Sequence, residues 1–265
     1  MVVCRQKCYW NNFVITYFFV SALYLFIICF FNCYKVKIGK MSDELNEELN
    51  PSELGTLDYW EKVYADEINN FEDHGDIGEV WFGKNNAQKV VKYICENLNL
   101  EKNDKIIDLG CGNGWTLLQL AKNGFNNLLG VDYSPKAIEL ARSVLKDNGI
   151  NSSTIQIKVL DILNIDNDET LMNFKLIHDK GTYDAISLNP ENRQEQRAKY
   201  TKNIHQLLLT NGYLVISSCN WTQDELINHF KSGFEVLCTL QTPAMKFGGK
   251  TGQSVTNIIF TKKKL

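Results

Sequence analysis

Residues 105–134 constrain the fold more than any other stretch of the chain. Ile106-Ile107-Asp108-Leu109 is a short apolar run that breaks into Gly110-Cys111-Gly112-Asn113-Gly114 and resumes as an amphipathic segment over 115–123. A second apolar run, 127–131, ends in Gly130-Val131-Asp132-Tyr133-Ser134. Strand, glycine turn, helix and strand at this spacing pack as a parallel βαβ unit, with the turn at the carboxyl end of the first strand. Such sheets bind ligands at that end.

The same alternation continues downstream. Strands are expected at 154–159, 173–178 and 213–218, and helices at 135–146, 191–209 and 222–231. Ser134 and Pro135 supply an N-cap and a first helical residue, and Asn211-Gly212 reads as a helix stop. Two closing strands, 234–239 and 254–261, have no helix between them and imply an antiparallel pair. Upstream, apolar residues at helical spacing predict helices over 57–72 and 86–98. A rival parse makes 183–188 the fourth strand, with Asn189-Pro190-Glu191-Asn192 at its tip.

Acids stand at the expected ligand end of successive strands. Asp108 lies two residues before Gly110, Asp132 follows the second strand, and Asp161 follows the third in Val159-Leu160-Asp161-Ile162. A dinucleotide fingerprint needs G-x-G-x-x-G, and this turn is G-x-G-x-G. Asp108 also suits a ligand amine better than a pyrophosphate. A carboxylate at 132 can accept hydrogen bonds from both ribose hydroxyls.

These residues resemble motif I and its companions in class I S-adenosylmethionine-dependent methyltransferases. A narrower resemblance runs from about Leu54 to Lys263. Its marks are Tyr59-Trp60, Val63-Tyr64, Gly78-Glu79-Val80-Trp81-Phe82-Gly83, Asp179-Lys180-Gly181-Thr182-Tyr183-Asp184, Ser218-Cys219-Asn220-Trp221-Thr222 and Phe247-Gly248-Gly249. In these marks the chain is similar to the lysine methyltransferases of translation elongation factor 1-alpha. The resemblance implies an α/β fold, a Rossmann-like seven-strand methyltransferase sheet, mostly parallel with an antiparallel C-terminal hairpin. It implies S-adenosyl-L-methionine as cofactor, held by Trp81, Asp108, Gly110, Cys111, Gly112, Asn113, Gly114, Asp132, Tyr133, Ser134, Asp161, Ile162 and Asp179. Asp161 would meet the adenine amino group. Asp179 is the expected catalytic residue beside the methyl group, Asn220 and Trp221 shape the substrate side, and no metal is expected. Trp60 and Tyr64 are either plain core or part of a lid helix over the cofactor.

Charge divides the chain. Residues 1–40 carry five bases and no acid, whereas residues 41–265 carry 23 bases against 31 acids, a net −8. The apolar stretch 13–31 spans 19 residues, about 28 Å as a helix, enough for one membrane crossing. The expected organisation is an apolar leader at 1–40, a flexible acidic tail at 41–56 and a methyltransferase domain at 57–265. The abrupt change at Met41 favours a start there over a membrane anchor. The protein is then cytoplasmic, with the nucleus as a second compartment, and it is membrane-anchored if the leader is genuine. An acidic body argues against direct nucleic-acid binding and suits a basic protein partner.

Other signals are weak. Phe247-Gly248-Gly249-Lys250-Thr251 lacks the first glycine of a phosphate loop. The cysteines have no C-x-x-C spacing, and no histidine completes a nucleophile motif. The expected activity is protein-lysine N-methylation of elongation factor 1-alpha by a monomer. A small-molecule methyltransferase of the same fold and a catalytically silent scaffold are the alternatives.

Overall fold

A computed structural model describes residues 48–165, 171–241, 244–247, 250–253 and 255–263. The leader lies outside the described residues. Among these, no helix is long and apolar enough to cross a membrane.

A 3-10 turn (Glu53–Gly55) precedes α1 (Leu57–His74) and α2 (Lys84–Asn97). Alternation then begins with β1 (Ile106–Leu109), α3 (Trp115–Lys122), β2 (Leu128–Asp132), α4 (Pro135–Asp147) and β3 (Ile155–Val159). It continues with β4 (Phe174–Lys180), α5 (Thr182–Leu188), α6 (Arg193–Leu207), β5 (Leu208–Ser218), α7 (Gln223–Phe230) and β6 (Phe234–Leu240). A hairpin of β7 (Ala244–Phe247) and β8 (Lys250–Gln253) precedes β9 (Thr256–Lys262). The seven-stranded sheet runs β3-β2-β1-β4-β5-β9-β6, parallel from β3 to β5, with β9 antiparallel to both neighbours.

Strand periodicity assigns the two cores. Ile106, Leu128, Leu176, Val215 and Ile259 face α1 to α4, while Ile107, Leu109, Val131, Ile177, Leu214 and Ile216 face α5 to α7. All four β1 residues are at most 3 % exposed, as a central parallel strand requires. Each fully buried Leu or Ile contributes roughly 1.5–3 kcal/mol, so this double coverage fixes the sheet register. Strand order reverses between β1 and β4, and the crevice at that reversal is where such folds take ligands.

Two expectations are corrected. Residues 183–188 form helix α5, because the Asp179 carboxylate accepts the first-turn N–H groups of Thr182 and Tyr183. Asn211-Gly212 does not stop a helix; it lies within β5, which starts at Leu208 opposite Phe174. The closing strands pair antiparallel at one edge of the sheet as expected, with β9 between β5 and β6. Residues 48–56, the described part of the segment expected as a tail, pack on α5 and α6. Leu49 is buried, the Ser52 N–H donates to the Leu188 carbonyl at 2.9 Å, and Asn189 Nδ2 donates to the Gly55 carbonyl at 2.9 Å. Glu48 receives Arg197 on both oxygens at 2.6 and 2.9 Å, with Arg193 and Gln194 beside it.

Candidate functional site

The glycine turn after β1 draws three helices together. Gly110 has φ 60°, and a Cβ there would lie 2.1 Å from Thr182 Oγ1. That hydroxyl donates to the Leu109 carbonyl at 2.7 Å, so α5 is locked onto the turn. Gly112 has φ 52°, and its Cβ would lie 2.8 Å from the Tyr64 hydroxyl of α1. Only glycine meets both the left-handed backbone and the close approach. Gly114 packs on Ala141 of α4, away from the turn's open side. Cys111 is buried and its N–H donates to the Val131 carbonyl at 3.0 Å.

Each acid is held differently. Asp108 sits opposite His178 in the β1–β4 register, so both side chains share a face, and His178 Nδ1 meets Asp108 Oδ1 at 2.6 Å. Asp132 ends β2 and is 4 % exposed. Its Oδ2 accepts the Gly112 N–H and its Oδ1 the Ser134 N–H, both at 3.0 Å. Burial pushes its pKa up to about 6, against the opposing pull of those two N–H groups. Tyr133 is half-buried beside it, and Ser134 caps α4 through the Ala137 N–H. Asp161 caps the 3-10 turn Ile162–Asn164 through the Leu163 N–H at 2.8 Å and Asn164 Nδ2 at 2.6 Å. Ile162 is buried.

The α1 helix and the segment after it cover the turn. Trp60 stacks on Tyr64 at 5.9 Å and meets Trp81 edge-on at 5.1 Å. Glu61 accepts the Ser134 hydroxyl at 2.5 Å. Asn113 Nδ2 donates to the Ile77 and Glu79 carbonyls at 2.9 and 3.1 Å, so this motif residue holds the covering segment. Phe82 has φ 67°, and a Cβ on Gly181 would lie 3.1 Å from its ring.

Two residues expected at the site, at the ends of β4 and β5, are buried. Asp179 is fully buried, and its carboxylate accepts from Thr182, Tyr183 and the Tyr200 hydroxyl, the last at 2.5 Å. It links α5 to α6. Burial pushes its pKa up to about 7, with the Tyr200 hydrogen bond pulling down. Trp221 is 5 % exposed, donates to the Ser187 hydroxyl at 3.1 Å and packs on Tyr183 and His229. Asn220 stays half-buried at the carboxyl end of β5. Asp184 ties α5 to β5 through the Ser218 hydroxyl at 2.5 Å and the Cys219 N–H at 2.8 Å. Asn189, the first residue of the weak tip motif, spends its amide on Gly55 and Glu191.

Glu61, Glu67, Phe82 and Lys180, which stand around the turn and its cover, were not singled out by the sequence. Glu67 had a signal, since it falls on the stripe of Trp60, Tyr64 and Phe71 where an apolar residue is expected. Phe82 had none, because a positive φ at an aromatic residue leaves no compositional mark.

The donors and acceptors suit a nucleoside carrying an amino-acid tail. Asp132, already oriented by two N–H groups, has lone pairs left for a ribose diol, and the glycine turn admits a chain against the backbone. Among the described residues no group of His, Cys, Asp or Glu could hold a metal ion.

Comparison with known proteins identifies the family. Residues 100–263 match the methyltransferase domain family. The chain is 43 % identical over 215 residues to EEF1A lysine methyltransferase 2 of Danio rerio, covering 81 % of this chain and 90 % of that protein. Against the Homo sapiens protein of the same name it is 43 % identical over 212 residues, covering 80 % and 88 %. Protein-lysine N-methyltransferase EFM4 of Saccharomyces cerevisiae is 31 % identical, covering 82 % and 97 %. Among solved structures, magnesium protoporphyrin IX methyltransferase from Synechocystis with bound S-adenosylmethionine superposes with a TM-score of 0.58 at 15 % identity, covering 84 % and 100 %. That likeness shows the fold.

Proposed function

Because the chain belongs to the class I S-adenosylmethionine-dependent methyltransferases, in the family of EEF1A lysine methyltransferase 2, we propose that its substrate is a lysine of translation elongation factor 1-alpha. It is a protein-lysine N-methyltransferase that uses S-adenosylmethionine. The 43 % identity spanning four-fifths of the chain carries this reading. The acidic body, net −8 over residues 41–265, suits a basic surface on the partner. The enzyme acts as a monomer in the cytoplasm and nucleus.

The bound cofactor supplies an electrophilic methyl on sulfur, and the protein supplies binding, alignment and exclusion of water. In this reading Asp132 accepts from both ribose hydroxyls. Tyr133 lies beside the nucleoside, and Asp161 with Ile162 borders the adenine. Gly110, Cys111, Gly112 and Asn113 form the backbone cradle, with Gly114 and Ser134 supporting it from α4. Asp108 is held by His178 and fixes the end of β1. Trp81 and Phe82 close over the turn. A lysine must arrive neutral although its reference pKa is ~10.4, and an aromatic-walled approach lowers that value by desolvation. Asn220 borders the entrance. Asp179 and Trp221 position α5 and so act through Thr182 and Ser187.

The test is incubation of the enzyme with radiolabelled cofactor and a cell lysate depleted of its own methyltransferase, followed by a protein gel. Label on a band of elongation factor 1-alpha size, abolished by Asp132→Ala, is the expected result. Label confined to the small-molecule fraction refutes the protein substrate, and cofactor binding without any label favours a scaffold.

A further inference from the structure

Two groups of opposite charge border the glycine turn and have no use in the mechanism above. Glu67 projects from α1 one turn after Tyr64, whose hydroxyl lies on Gly112. Its Oε1 accepts the Glu79 N–H at 3.0 Å, and its Oε2 is buried with no hydrogen-bond partner. The covering segment is shaped around this carboxylate. A Cβ on Gly78 would lie 2.4 Å from Glu67 Cδ, so glycine is required for the segment to close there. The charged groups around Glu67 are Glu79 and Asp76, which repel it, and Lys180, which attracts it. Burial pushes its pKa up to about 7.

Lys180 is the complementary case. It ends β4 directly before Gly181, half-buried. Its ammonium is lowered in pKa by desolvation, opposed by the fields of Asp108, Asp179 and Glu79. Among the described residues its ammonium makes neither an ion pair nor a side-chain hydrogen bond. Lys180 follows Asp179, which pairs with Leu109, so it stands level with Gly110 at the turn, and it forms no ion pair with Glu67. An orphaned carboxylate oxygen is costly to bury, and the half-buried ammonium is left to meet an anion. A ligand group bearing an ammonium and a carboxylate on one carbon would satisfy both. Asp108, the other acid near this end, has its Oδ1 committed to His178.

We propose that Glu67 and Lys180 together hold the zwitterionic amino-acid end of the cofactor, Glu67 accepting from the α-ammonium and Lys180 donating to the α-carboxylate. This rests on the cofactor assignment above. It makes α1 part of the binding site rather than a cover alone.

Binding to the full chain, read by calorimetry, separates the two ends of the ligand. The probes are S-adenosylhomocysteine, decarboxylated S-adenosylmethionine and 5′-methylthioadenosine, which lacks the amino-acid end. Loss of one charge-assisted contact should weaken binding on the order of ten- to a hundredfold. Glu67→Gln should do so for the first two probes, and Lys180→Met for the first alone. Neither should change the affinity for 5′-methylthioadenosine, and Lys180→Arg should restore most of the affinity for S-adenosylhomocysteine. An equal loss for all three probes, or no loss for any, overturns the proposal while leaving the cofactor assignment standing. If the wild-type chain binds none of them, the assignment itself fails and takes the proposal with it. Glu67→Gln is isosteric, and an unchanged thermal melt for each variant confirms that the affinities compare folded proteins.

Discussion

Gly110→Ala and Thr182→Ala form a mutant cycle whose outcome follows from two distances. Thr182→Ala removes the hydroxyl that donates to the Leu109 carbonyl at 2.7 Å, a loss of about 1 kcal/mol. Gly110→Ala places a Cβ at φ 60° and 2.1 Å from that same oxygen. The left-handed backbone costs about 1–2 kcal/mol for a non-glycine residue, and overpacking adds about 1–3 kcal/mol. The single variant should therefore lose about 2–5 kcal/mol. In the double variant the offending oxygen is gone, so much of the overpacking is relieved while the backbone strain and the lost hydrogen bond remain. The double variant should lose about 2–3 kcal/mol, less than the sum of the singles by at least about 1 kcal/mol, as expected for residues in direct contact. Urea unfolding monitored by tryptophan fluorescence, with equal m-values for all four proteins, reads these differences. Strict additivity, or a Gly110→Ala protein as stable as wild type, would refute the claim that the turn is closed by α5.

Glu48 should impose an acid limit on the N-terminal strap. Arg197 holds its carboxyl near pKa 2, below the usual 4.5, so its contribution is present above about pH 4.5 and is lost as the pH falls toward 2. The group is partly exposed, so solvent screening keeps the effect small, and Glu48→Gln should flatten that part of a stability-against-pH curve. Tyr200→Phe should destabilise the fold by about 1–3 kcal/mol by removing a donor from the buried Asp179 carboxylate. If Asp179 positions α5 and does not take the substrate proton, the pH dependence of the Tyr200→Phe enzyme's rate should keep its wild-type shape, and a displaced limb would restore Asp179 as proton acceptor.

Periodicity made much of this architecture legible. The run 106–109, the glycine turn and the acids at 108, 132 and 161 depend on local spacing, and the parallel sheet follows from it. Long-range partners were not legible. Nothing within 179–183 shows that Asp179 will find Tyr200 on α6. The burial of Trp221 was equally hidden, since an aromatic after Asn220 suits both an entrance wall and the α5–α7 core. Residues 48–56 look like tail because their composition is polar, yet Leu49 and the Glu48–Arg197 pair anchor them through contacts about 150 positions apart in sequence.

The insertion of β9 between β5 and β6 has a consequence for synthesis on the ribosome. Residues 256–262 emerge after every other strand of the sheet, yet they occupy an internal position. Until they clear the exit tunnel, β5 has a bare hydrogen-bonding edge carrying Leu214 and Ile216, and β6 has no neighbour in the sheet. The nascent chain can assemble its nucleotide-facing half early, but the other half must wait, open to pairing with a foreign strand. A chain stalled or cut before residue 256 would thus hold the glycine turn and all three acids and still be a substrate for chaperones and proteases.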